Sequence, residues 1–183
     1  MATGFLGAVD ASTRAAFGRA PATDSGAASV TWTHAITGIV AMLILQAVLL
    51  VVPFAGALPE ALRAVIDFAV LALVMTAVPY VVVSGAALLL GKPEQLPALF
   101  LFLALVLALS QLIGIILGAL GIGAGTAMIG ILGYFVARAS KSFLGIGWGA
   151  AILIGVLAAL GTFAASFVLL ALPTGQAMMA AGP

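Results

Sequence analysis

The chain of 183 residues is 65% hydrophobic and 6% charged, has a mean hydropathy of +1.39 and contains no cysteine. Soluble domains carry roughly a quarter charged and about half apolar residues, so this composition excludes both a water-soluble globule and a disordered chain and makes the lipid bilayer the solvent. Six Lys plus Arg against five Asp plus Glu leave a net charge of +1, too sparse for nucleic acid, and the lack of cysteine removes disulfides, thiolate metal sites and cysteine nucleophiles.

Residues 1–30 read as a cytoplasmic segment. No apolar core follows a basic start, so a signal peptide is not expected. Phe5, Val9, Ala16 and Phe17 recur near one helical face, with Thr3, Asp10 and Arg14 elsewhere. That pattern predicts a short amphipathic helix lying in the headgroup plane, with a disordered tail as the alternative. Pro21, Thr23, Asp24, Ser25 and Gly26 then form a flexible connector.

A membrane-crossing helix needs about 20 mostly apolar residues, because hydrocarbon cannot satisfy free backbone groups. Five stretches qualify, at about residues 33–54, 64–90, 96–120, 122–137 and 146–172. Trp32 and His34 open the first, which stops at Pro53. Gly91, Lys92, Pro93, Glu94 and Gln95 form a polar turn between the second and third. The fourth is shorter and meets the third through Gly118, Gly121, Gly123 and Gly125; the fifth is closed by Pro173. The expected fold is an all-α integral membrane protein: a five-helix transmembrane domain over residues 31–173, preceded by the interfacial helix and followed by a short external tail, residues 174–183. Continuous apolar runs in place of alternating segments argue against a β-barrel.

With five crossings, the N-terminal segment shares one side with the second-to-third and fourth-to-fifth connections. That side holds Arg14, Arg19, Lys92, Arg138 and Lys141, and the other holds only Arg63. Cations near helix ends are retained in the cytoplasm, so the N-terminus is placed inside and the C-terminus outside. Merging the third and fourth stretches would abolish the bias, to three against three. The expected location is the plasma membrane, by its Ala, Gly and Leu bias a bacterial inner membrane.

Ionisable groups within a membrane are costly and draw attention to function. Asp67 stands four residues after Arg63, a spacing that lets the two meet on one helix face. The pair reads as an interfacial couple reaching toward the outer headgroups, with a proton- or cation-binding carboxylate as the sharper alternative. His34 is the single histidine; beside Trp32 it reads as an interface anchor, since zinc needs three or four ligands and bis-histidine haem needs a second imidazole. No metal or other cofactor is expected. Gln46 and Gln111 are the polar groups nearest mid-membrane, accompanied by Thr76, Ser84, Ser110, Thr126, Thr162 and Ser166. They read as interhelical hydrogen-bond glue, with a substrate-binding pair of glutamines as the alternative. Pro79 removes a backbone donor and predicts a kink in the second stretch.

Small residues recur at a spacing of four: Gly114 and Gly118, Gly121 and Gly125, then Ala151, Gly155 and Ala159. Such rows let backbones approach closely and predict a compact sub-bundle of the third, fourth and fifth stretches. The glycine-rich stretch 118–125 lacks the lysine and the preceding strand of a phosphate-cradling loop. No H-E-x-x-H, no G-x-S-x-G elbow and no pair of carboxylates at one depth occurs, so catalysis is not expected.

The segment 14–21, the run Ile131, Leu132, Gly133, Tyr134, Phe135, Val136 and Ala137, the basic loop 138–141, and Phe143, Leu144, Gly145, Ile146, Gly147, Trp148 and Gly149 together resemble the Yip1-like five-helix membrane proteins, including their bacterial members. The resemblance covers about residues 5–173 on degenerate, mainly apolar motifs. It implies a non-enzymatic bundle that organises membrane or binds other membrane proteins; the acidic aromatic motif of the eukaryotic members has no counterpart in this sequence, so their trafficking role is not carried over. The expected partners are membrane lipids and other membrane proteins, or a second copy of the chain. A transporter or channel subunit, and an accessory subunit of a respiratory or photosynthetic complex, are the alternatives.

Overall fold

The computed structural model describes residues 4–18, 29–51, 58–121 and 125–171; at 50–51, 58–72, 118, 125–127 and 168–171 the description is of the backbone alone. Every long element among them is an α-helix: α1 (Phe5–Ala16), α2 (Trp32–Val51), α3 (Leu58–Leu89), α4 (Leu96–Ala119), α5 (Gly125–Leu144) and α6 (Trp148–Ala171), with a 3-10 turn, Pro93–Gln95, leading into α4. Long runs of Ala, Leu, Val and Ile supply the helices, and glycine stops them. After α3 the amide of Gly91 donates to the Leu88 carbonyl (3.1 Å) and that of Lys92 to the Ala87 carbonyl (2.8 Å). This is the paired C-terminal bonding of a Schellman cap, which requires the φ of +67° that Gly91 adopts. Pro93 then prevents the chain from continuing as the same helix.

Three helices are long and apolar enough to cross a membrane among the described residues, over Trp32–Leu49, Pro93–Leu117 and Trp148–Phe167. Their outward faces carry Ile36, Val40 and Ile44 on α2, Ile115 and Ile116 on α4, and Ile152, Val156 and Leu160 on α6, all exposed. Helices this apolar toward solvent bury a surface only when lipid covers them. The buried core instead centres on the first half of α4, where Leu99, Leu101 and Leu103 are fully enclosed, together with Val83, Val136 and Leu144.

Two packed groups make up the bundle. α5, α6 and α3 form one, α2, α4 and α1 the other, and α4–α5, α1–α5 and α2–α3 contacts join them. This differs from a sub-bundle of α4, α5 and α6, and the glycines explain why. A Cβ on Gly155 would fall inside contact of the Gly133 carbonyl oxygen and 2.7 Å from the Ala137 Cβ; a Cβ on Gly133 would lie 3.0 Å from the Ala159 Cβ. Gly133 and Ala137 on α5 therefore interlock with Gly155 and Ala159 on α6; Ala151, one turn earlier on α6, is fully buried. At Gly114 and Gly121 an added Cβ would meet nothing within 4 Å, so among the described residues these two bring no helices together. Gly118 and Gly125 fall where only the backbone is described. The α2–α4 approach uses Gly38, where a Cβ would sit 2.6 Å from the Leu101 Cδ1, and the α3–α6 approach uses Gly161, 2.9 Å from the Val78 Cγ1.

Other boundaries move too. α5 continues through Arg138–Lys141, which is helix and not a loop; its stop is Gly145, at a φ of +61°. The second stretch becomes the 32-residue α3, which runs unbroken through Pro79 and at 1.5 Å per residue is about 48 Å long. The connector 21–26, Pro53, Pro173 and the tail 174–183 lie outside the described residues.

Candidate functional site

The polar and aromatic chemistry of the chain gathers at one end of the bundle. There the C-terminal end of α1, the starts of α2, α4 and α6, and the ends of α3 and α5 come together through named contacts. Phe17 stands edge-on to Phe102 of α4 (6.1 Å) and to Phe135 of α5 (6.2 Å), and Phe102 also meets Phe143 (6.4 Å). A second aromatic chain runs from Trp32 of α2 to Phe100 of α4 (5.5 Å) and on to Tyr80 of α3 (4.8 Å). Edge-to-face pairs of this kind contribute about 0.5–1.5 kcal/mol beyond their buried area.

α1 is fixed to this end through its backbone. α5 bonds to the carbonyls at the end of α1: the Ser142 hydroxyl donates to the Ala15 carbonyl, which also accepts from the Gly18 amide at 3.0 Å, and the Arg138 Nη2 donates to the Phe17 carbonyl at 2.8 Å. The Arg138 guanidinium also lies 5.5 Å from the Phe17 ring centroid, a cation–π contact. The buried face of α1 is Ala8, Ala11, Ser12, Ala15 and Ala16, with Phe5 and Val9 packed partly against the core. The apolar side of α1 is thus covered by protein, whereas an interfacial helix would lay that side in the headgroups. Its outer side presents Leu6, and the Asp10–Arg14 ion pair at 2.9 Å. That pair is exposed and of the i,i+4 type, so it adds little.

The connections at this end are tied as well. The Lys92 ammonium donates to the Leu144 carbonyl at 2.6 Å, joining the α3–α4 turn to the end of α5. The Lys141 ammonium lies 4.8 Å from the centroid of the Trp148 ring. His34 works locally: its Nδ1 accepts from the Thr31 amide at 3.2 Å while the Thr31 carbonyl accepts the first bond of α2 from the Ala35 amide. A backbone amide only donates, so Nδ1 is the acceptor of this bond, which is the returning half of a capping box with histidine in place of the usual Glu or Gln.

No family model, no curated protein and no solved structure matches the chain.

The residues singled out from sequence do not converge. Arg63 and Asp67 lie on the first half of α3, where only the backbone is described. Gln46 and Gln111 are half-buried on α2 and α4, and no hydrogen bond among the described residues joins them; the Gln46 Oε1 is enclosed without a partner. Pro79 is fully buried within α3, beside Tyr80, whose hydroxyl is likewise enclosed and unpaired. Thr162 satisfies its hydroxyl on the Ala158 carbonyl at 2.8 Å, the usual backward bond of a helical threonine. No group of three or more His, Cys, Asp or Glu stands together among the described residues. Phe17, Lys92, Ser142 and Gly133 make contacts at this end or along the α5–α6 seam that no sequence motif marks. Only Gly133 carried a usable signal, since it stands four before Ala137 in a small-residue row.

Proposed function

We propose that the chain is a five-span, multi-pass protein of the plasma membrane, with its N-terminus inside, and that it acts without catalysis as a scaffold or partner-binding component. The observation that carries this reading is the use of polar chemistry as ties: Arg138, Ser142, Lys92 and His34 all bond to main-chain atoms of other segments or of a helix start. Side chains spent on fixing backbone are what a rigid docking body needs. The five crossings draw support from the contacts at one end. Trp32 meets Phe100, Phe17 meets Phe102 and Phe135, Lys92 meets Leu144 and Lys141 meets Trp148, so the starts of α2, α4 and α6 and the ends of α3 and α5 share a side. That same side carries Arg14, Lys92, Arg138 and Lys141, the inward side by the positive-inside rule. The Yip1-like resemblance points to the same class of activity.

The test is a native-nanodisc pull-down of the chain from its own membranes, with mass spectrometry of the proteins and small molecules retained. Stoichiometric recovery of another membrane protein is the expected result. Recovery of the chain alone with a bound solute would overturn the proposal in favour of a transport subunit. One observation favours that second reading: the Gln46 Oε1 and the Tyr80 hydroxyl are enclosed without hydrogen-bond partners in an apolar interior, where unpaired polar atoms are costly.

A further inference from the structure

The turn between α5 and α6 carries more positive charge than the fold uses. Lys92 reaches it from the α3–α4 connection, 52 residues away in sequence, and Lys141 from the last turn of α5. An ammonium has three donors. Lys92 gives one to Leu144, and Lys141 rests on the face of Trp148 without a hydrogen bond to any described residue. Carboxylates do not neutralise either cation: the ion pair found among the described residues is Arg14 with Asp10, and Glu94, next to Lys92 in sequence, is exposed and joined to neither. Arg138, a turn before Lys141, points its hydrogen bond at the Phe17 carbonyl and has no acidic partner among the described residues either. In a chain with 6% charged residues, three cations gathered at one helix end without a described carboxylate are a notable excess.

The surface beneath them is apolar. Trp148 is 45% exposed and Ile152, one turn further along the same face of α6, is 53% exposed; Leu153 beside it is exposed too. The backbone of the turn also approaches the charge closely, since a Cβ on Gly145 would lie 3.2 Å from the Lys92 Nζ. Cations above, an indole at the boundary and a strip of branched aliphatic side chains below match the order of groups along one phospholipid: phosphate, glycerol ester and acyl chain. Free phosphate would use the lysines alone and gain nothing from the aliphatic strip.

We infer that Lys92, Lys141 and Trp148 form a binding site for the phosphate headgroup of an anionic phospholipid, whose acyl chain lies along Ile152 and Leu153. This rests on the membrane reading above but not on the scaffold role. Each basic side chain near a charged bilayer surface is worth about five-fold in affinity.

The test is native mass spectrometry of the purified full chain in nanodiscs of phosphatidylcholine doped with phosphatidylglycerol. The wild type is expected to retain phosphatidylglycerol in preference to phosphatidylcholine. K141Q is expected to lower that retention about five-fold and K92Q/K141Q about twenty-fold or more, while R14Q, whose partner is Asp10, leaves it near the wild-type value. K141Q keeps the test sound should loss of the Lys92 tie loosen the fold. Added inorganic phosphate at millimolar concentration should fail to displace the lipid. Equal retention of both lipids, or an undiminished preference in K141Q, would overturn the site. Displacement by phosphate would overturn the lipid assignment in favour of a simple anion site. Failure of the chain to enter nanodiscs at all would instead strike the membrane reading.

Discussion

The α5–α6 seam offers a direct test of the packing argument. In Gly155→Ala the new methyl would press into the Gly133 carbonyl oxygen, the Ala137 Cβ at 2.7 Å and the Ala137 amide nitrogen at 3.1 Å. Two of these are backbone, so no side-chain rotation relieves the clash. Restoring ordinary carbon contact near 3.5–4.0 Å requires the two helices to part by about 1 Å, and that weakens dispersion contacts along the whole seam. Overpacking of this kind costs about 1–3 kcal/mol. Gly114→Ala is the matched control: the same methyl enters open space, and the helix propensity of alanine is favourable by up to about 1 kcal/mol. Reversible unfolding in mixed micelles, followed by circular dichroism, should place Gly155→Ala about 1–3 kcal/mol below the wild type and Gly114→Ala level with it or above. A Gly155→Ala variant as stable as the wild type, or a Gly114→Ala variant destabilised as much, would refute the assignment of the seam.

Removing the ties that hold α1, in R138Q/S142A, deletes two hydrogen bonds to its last carbonyls. At about 1 kcal/mol net for each bond, amide hydrogen exchange in α1 should speed up by about thirty-fold while α6 is unchanged; uniform exchange across both helices would contradict local docking. Gly145→Ala forces a Cβ into a φ of +61° and to within 3.2 Å of the Lys92 Nζ. It should lose about 1–2 kcal/mol in the same unfolding assay, more than Gly91→Ala, whose Cβ meets nothing within 4 Å. Replacing His34 by Ala removes the acceptor for the Thr31 amide, so exchange of that amide should rise about five-fold, as expected for a lost cap of about 1 kcal/mol, with the rest of α2 unaffected.

Helix identity and rough extent were legible in the sequence because long apolar runs leave the backbone no other way to satisfy itself. The turn at Gly91 and Pro93 was legible for the same local reason: a glycine able to take positive φ followed by a ring that bars helix continuation. The small-residue row at Ala151, Gly155 and Ala159 was also visible, and the structure uses it. Its partner was not, because spacing alone gives Gly114 on α4 and Gly133 on α5 equal claims. Only the placement of α5 against α6 selects Gly133.

What the sequence by itself determined is the all-helical class and the polar connection at Gly91 to Gln95, both of which follow from local composition. The tertiary structure decided which faces meet and what the polar groups do. The amphipathic pattern of α1 fits a bilayer surface or a protein surface equally well; the Ser142 and Arg138 bonds to its carbonyls, made across more than 120 residues, place it on protein. Lys92 and Leu144 are likewise 52 residues apart. Contacts of such range depend on how the helices are arranged, and periodicity along one helix carries no information about which neighbour will stand beside it.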